Sequence, residues 1–158
     1  MLQSIDKLLN RQGFRTIIKF FLFECPVQYN DGKTVSARGI SFEKRKLSNK
    51  ALNSLIAAMR RSSDISIHTV KDNPIAPDGK NEYLIVKEHS EMSVVNAYYY
   101  SIRNAFAHGS FSYENGIYLF ENYRKGKLRA IGRIKEKTLL EWIKLCNMKV
   151  SEIKIYRK

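Results

Sequence analysis

With 158 residues, 28 Lys and Arg against 15 Asp and Glu, and a formal charge of +13, the chain reads as one basic domain; 44% hydrophobic content and only three prolines exclude a disordered or low-complexity chain. No apolar run is long enough to span a bilayer and no cleavable leader is spelled out, so the expectation is a single domain over residues 1–158 in the cytoplasm, with no membrane partner. A charge excess of this size points to an anionic partner, nucleic acid first, and residues 121–158 alone carry 12 basic and 4 acidic side chains.

The first 24 residues place Leu2, Ile5, Leu8, Leu9, Phe14, Ile17, Ile18, Phe21 and Leu22 at helical spacing, with Gly13 as the expected interruption. Around Phe20 to Phe23 apolar residues wrap the helix, which calls for cover on several sides. Pro26 ends the segment and Asn30-Asp31-Gly32 marks a turn. A second helix is expected from Ser41 as N-cap, with Leu47, Leu52, Leu55, Ile56 and Met59 inward and Lys44, Arg45, Lys50, Arg60 and Arg61 outward. "IHTV" and "EYLIV" read as short strands separated by the loop "DNPIAPDG".

A third helix begins near Ser90 or Ser93 and ends at Gly109, with Val94, Ala97, Tyr98, Ile102, Ala105 and Phe106 toward the core. Tyr98, Tyr99 and Tyr100 are consecutive, so at least one must reach the surface, a subunit contact or a polar site. The period then changes to two. "FSYENGIYLF" is a hairpin around Asn115-Gly116, and "KLRAIGRI" follows the Arg124 to Gly126 turn as a third strand. Thr138 and Glu141 read as a capping box before "LLEWIKLC", where Trp142 anchors the last helix; the final ten residues read as an edge strand or a short helix. Cys25 and Cys146 stand in apolar settings as buried thiols, with neither zinc nor disulfide spacing.

The candidate site is the polar set in "SIRNAFAHGSF". Asn104 and His108 share a helix face, whereas Arg103 and His108 are about 140° apart and roughly 7.5 Å apart along the axis, so bending or a second subunit is needed to bring them together. The chemistry of such a meeting is that of RNA cleavage without a metal. Imidazoles ordinarily titrate near pH 6.5 and can move a proton to or from ribose oxygens, while a guanidinium stabilises growing phosphate charge. Asn104 can orient the imidazole or hold a phosphate oxygen. Each residue also has a structural reading, His108 as a cation at a helix C-terminus above all. His68, His89 and His108 show no ligand spacing with carboxylates, so neither a metal nor another cofactor is expected.

"RNAFAHGSF" resembles the Arg-x4-6-His signature of the HEPN superfamily, with Arg103 and His108 at the two invariant positions and Asn104 at the polar position after the arginine. The resemblance covers about residues 90–146. It implies a mainly α fold, a HEPN-like helical bundle with an added small antiparallel β-hairpin or three-stranded meander. It also implies a homodimer with a composite cleft and a metal-independent endoribonuclease, a toxin or antiphage effector acting on tRNA or mRNA and held by an antitoxin or regulatory protein. Arg103, Asn104 and His108 would be its catalytic set. Ser110 stands where a branch neutralised by nucleotidyl transfer carries tyrosine. The alternative is a noncatalytic nucleic-acid-binding module of the same kind.

Overall fold

The computed structural model describes residues 5–25, 49–89, 92–148 and 152–153. The strand Glu82–Lys87, β2 of the molecule, buries Leu84, Ile85 and Val86 in succession, the pattern of an interior strand covered on both faces. Ile65–Val70, β1, pairs with it in parallel, and Lys127–Lys135, β5, pairs antiparallel on its other edge. Ile117–Arg124 (β4) and Phe111–Glu114 (β3) complete the antiparallel side, so the order is β1-β2-β5-β4-β3. Asn115 and Gly116, at φ 50° and 80°, form the β3–β4 turn, because positive φ at both central residues matches the twist of the strands.

Helices α1 (Ile5–Leu9) and α2 (Gln12–Lys19) run into a π-helical turn at Phe20–Glu24. α3 (Asn49–Arg61) precedes β1, α4 (Val94–Ala107) follows β2, and α5 (Glu136–Cys146) follows β5. α4 packs on β2 and β4, α5 on β5, and α3 on β1. The core joins their inner sides to alternate strand residues, including Leu84, Val86, Tyr118, Phe120, Ala130 and Ile134. On the opposite face Ile85 and Ile131 are buried outside that core, and the β1–β2 connection passes there, Arg133 Nε donating to the Lys80 carbonyl at 3.2 Å. Trp142, fully buried, ties three helices together. Its Nε1 donates to Ser62 Oγ at 2.8 Å and to the Met59 carbonyl at 3.2 Å, and its own carbonyl accepts from the Tyr99 hydroxyl at 2.9 Å.

The mainly α bundle expected from sequence is overturned: the fold is α/β, with a five-stranded mixed sheet. Its physical reason is the pairing of Tyr83–Val86 with Ala130–Arg133, which merges two apparently separate strands with the hairpin and is invisible to local periodicity. Gly13 does not break the first helix. The break falls at Asn10–Arg11, and Gly13 sits inside α2 where a Cβ would stand 2.3 Å from Glu136 Oε1. Phe20 and Phe21 are buried but Phe23 is 62% exposed, so the aromatic band is not covered all round. Val94, expected in the core, is exposed, while Ser93 caps α4 by accepting from the Asn96 amide. Pro26, the Asn30–Gly32 turn, Ser41, Lys44, Arg45, Leu47, the side chains of Lys50 and Leu52, and most of the last ten residues lie outside the described residues.

The Thr138–Glu141 capping box is also replaced. α5 begins three residues earlier, with Lys135 as its N-cap, and its N-terminus is satisfied from another strand: the buried Glu82 carboxylate accepts from the Lys135 amide at 2.8 Å and from the Thr138 hydroxyl at 2.6 Å, and its second oxygen accepts from Ser63 Oγ. A carboxylate at a helix N-terminus is favoured by the orphan amides and the dipole there. Glu82→Ala removes the acceptor of three donors, the buried Thr138 hydroxyl among them, and is expected to cost about 3 kcal/mol in urea unfolding. A second expectation concerns Gly132, whose absent Cβ would lie 2.2 Å from Cζ of its cross-strand partner Phe120. Gly132→Ala should destabilise by about 1–3 kcal/mol, and a Phe120→Leu background should shrink that loss in a double-mutant cycle.

Candidate functional site

Each residue of α4 turns about 100°, which sorts the helix into sides. Val95, Tyr98, Tyr99, Ile102, Ala105 and Phe106 fall on the core side and all are buried. Ala97, Ser101, Asn104 and His108 fall on another side and line a pocket. Arg103 lies on neither. Two buried hydrogen bonds hold this rotation, Tyr99 hydroxyl to Trp142 carbonyl on one side and Asn122 Nδ2 to Ser101 carbonyl on the other.

The end of the helix is built for an exposed His108. Gly109 takes φ 67°, and the amides of Ser110 and Gly109 donate back to the carbonyls of Ala105 (2.9 Å) and Phe106 (3.4 Å). This closing motif needs a residue tolerant of left-handed backbone, which glycine supplies. His108 is the last residue before it, at φ −98°, and its imidazole sits where the negative end of the helix dipole favours a cation.

The pocket has a volume of about 390 Å³. Lys87 closes β2, His89 follows two residues later, and Arg124 ends β4; all three line the cavity with His108. Arg129 reaches it through a β-bulge. Asn122 pairs with Ala130 and Tyr123 with Leu128, so Arg129 faces no residue of β4. Plain alternation would place Arg129 beside Ile131 on the far face, whereas a bulge re-aims a side chain, here to the same cavity as Ser101 and Asn104. Among the described residues that line the pocket none is acidic. Tyr100 and Tyr123 add aromatic walls, so the tyrosine run resolves into two buried rings, Tyr98 and Tyr99, and one at the polar site.

Of the three residues singled out in the sequence, Asn104 and His108 meet in this cavity and Arg103 does not line it. Arg103 instead donates to Asn104 Oδ1 at 3.0 Å, which leaves the Asn104 amide nitrogen as the donor available to the pocket. Sequence reasoning missed His89, Lys87, Arg124 and Arg129 as site residues. Their only local signal was "VKEH" at a strand end and the basic flanks of the Arg124–Gly126 turn, which do not reveal that they converge. The arrangement suits a ligand with negative charge spread over several oxygens: cations around a concave site, an amide donor, and two imidazoles for proton transfer. Among the described residues no group of three His, Cys, Asp or Glu side chains is placed to hold a metal ion, and no helix is long and apolar enough to cross a membrane.

The chain matches no family model, no curated protein and no solved structure. If phosphates enter this pocket, Arg129→Ala and Lys87→Ala should each weaken binding of a 2'-O-methyl oligonucleotide and flatten the dependence of log affinity on log salt by about 0.7, checked by anisotropy titrations at several salt concentrations.

Proposed function

We propose that this chain is a metal-independent endoribonuclease whose reacting phosphate lies in the pocket beneath the C-terminus of α4. The observation that carries the reading is the presence of two imidazoles, His89 and His108, in a cavity whose fully charged lining, Lys87, Arg124 and Arg129, is wholly cationic among the described residues. In the reaction one neutral imidazole takes the proton from the ribose 2'-hydroxyl, O2' attacks phosphorus, and the bond from phosphorus to O5' breaks as the second, protonated imidazole gives its proton to O5'. The products are a 2',3'-cyclic phosphate and a 5'-hydroxyl. The arginines and Lys87 stabilise the charge gathering on the non-bridging oxygens, and Asn104 contributes a neutral donor. The 2'-hydroxyl requirement restricts cleavage to RNA.

From the motif resemblance this proposal keeps the Arg103, Asn104 and His108 set and the expected partners but not the bundle, which is not the fold of this chain. RNA, tRNA or mRNA, is the proposed partner. A homodimer would bring a second Arg103 to the rim, and a toxin or antiphage effector of this kind would be held by an antitoxin or regulatory protein. The second reading is a noncatalytic nucleic-acid-binding module, favoured by the position of Arg103 outside the pocket, because the resemblance assigns catalysis to the Arg103–His108 pair.

The test is incubation of the purified protein with total RNA in excess EDTA, followed by mapping of the ends. Cleavage with cyclic phosphate ends is expected, with His89→Ala and His108→Ala each slowed roughly 10²- to 10⁴-fold. Arg103→Ala should lose less, since it acts through Asn104. Unaltered cleavage by both histidine variants would refute the site, and an inert wild-type protein that binds RNA in a salt-dependent way would establish the module instead.

A further inference from the structure

We propose that a second pocket next to the first receives a base of the same strand, so that the ligand is single-stranded rather than duplex RNA; this rests on the reading of the first pocket as the phosphate site. The second cavity, about 630 Å³, adjoins the first, and Ser110 and Tyr123 line both. The chemistry changes across that shared wall. On the first side the charged groups are cations; on the second the walls are Tyr83, Leu119, Leu128 and Ile131, with Glu121 as the one charged side chain among the described residues that line it.

That division matches the two halves of a nucleotide. A carboxylate repels a phosphate but accepts hydrogen bonds from the amino and ring N–H groups of a base, as cytosine and guanine offer, and apolar and aromatic walls suit the faces of a base. Tyr123 stands at the boundary, 60% exposed, with its hydroxyl donating to the Glu121 carboxylate at 2.8 Å. The bond ties the ring to the lip between the two cavities. Burial is the foremost cause of the raised pKa of the half-buried Tyr83 phenol, and Glu121 also raises it while Arg133 lowers it, so these charges share the same patch of sheet. A base within a duplex is stacked and paired and cannot enter such a cavity unless it is flipped out, whereas an unpaired base needs no such step.

The test compares three labelled, uncleavable probes of equal length by anisotropy: a mixed-sequence 2'-O-methyl single strand, the same sequence as a duplex, and a strand of abasic residues with the same phosphates. The wild-type protein is expected to bind the base-bearing strand roughly 5- to 100-fold more tightly than the abasic one. Tyr83→Ala and Tyr123→Ala should each erode that preference, Tyr83→Ala should bind the abasic strand as the wild type does, and Tyr83→Phe should keep the preference. Thermal melts check that the variants fold, and should Tyr83→Ala fail to, the exposed Tyr123 decides alone. Equal affinity for duplex and single strand, or an undiminished preference in the tyrosine variants, overturns the base site. Loss of self-association in Tyr123→Ala with RNA binding intact makes the face a contact between copies and overturns it as well. Failure of the first pocket is separate: there Arg129→Ala would bind the abasic strand as the wild type does.

Discussion

The rotation of α4 about its own axis is the constraint from which the site follows. It is held between two buried hydrogen bonds, the Tyr99 hydroxyl on the Trp142 carbonyl and the Asn122 amide on the Ser101 carbonyl. A buried polar group left without a partner is costly, so neither bond can be given up by a small turn of the helix. The indole of Trp142 is itself fixed by Ser62 and Met59 at the end of α3, which links the setting of α4 to the packing of two other helices. A turn of one residue, about 100°, would exchange the Asn104–His108 side for another and remove the pocket's polar wall.

The sheet supplies the other half of the cavity, and does so through an irregularity. Lys87 and Arg124 arrive at the ends of β2 and β4, the strands on either side of β5, but Arg129 is delivered by the extra residue of β5 opposite the Asn122–Tyr123 step. Gathering cations around one concavity costs repulsion that an anionic ligand relieves, which makes the collection more informative than the formal charge of +13 spread over a surface. The proposed division into a phosphate side and a base side depends on the same strand pair, since Tyr123 follows Asn122 at the bulge and faces both cavities.

The placement of Arg103 relative to His108 follows from helix geometry. On one helix Arg103 and His108 are about 140° apart, and of the two only His108 lines the pocket. Arg103 donates to the Asn104 side chain, while the guanidinium groups that line the cavity, those of Arg124 and Arg129, come from the sheet. The chain thus has the residue types expected for phosphate chemistry in a constellation that the short signature did not describe.

Much of the local structure was legible because its causes are local. Period-two alternation and Asn115-Gly116 specify the hairpin, Ser93 and Gly109 bound α4, and the helical spacing of Tyr98, Ile102, Ala105 and Phe106 identifies its buried side. His108 and Asn104 were legible as a pair for the same reason, being one turn apart. The five-stranded sheet, the capping of α5 by Glu82, the bulge at Arg129 and the arrival of His89 in the same cavity as His108 were decided only by the tertiary structure. Each depends on groups far apart in the chain, and a pattern of neighbouring residues carries no term for the long-range pairing that brings them together.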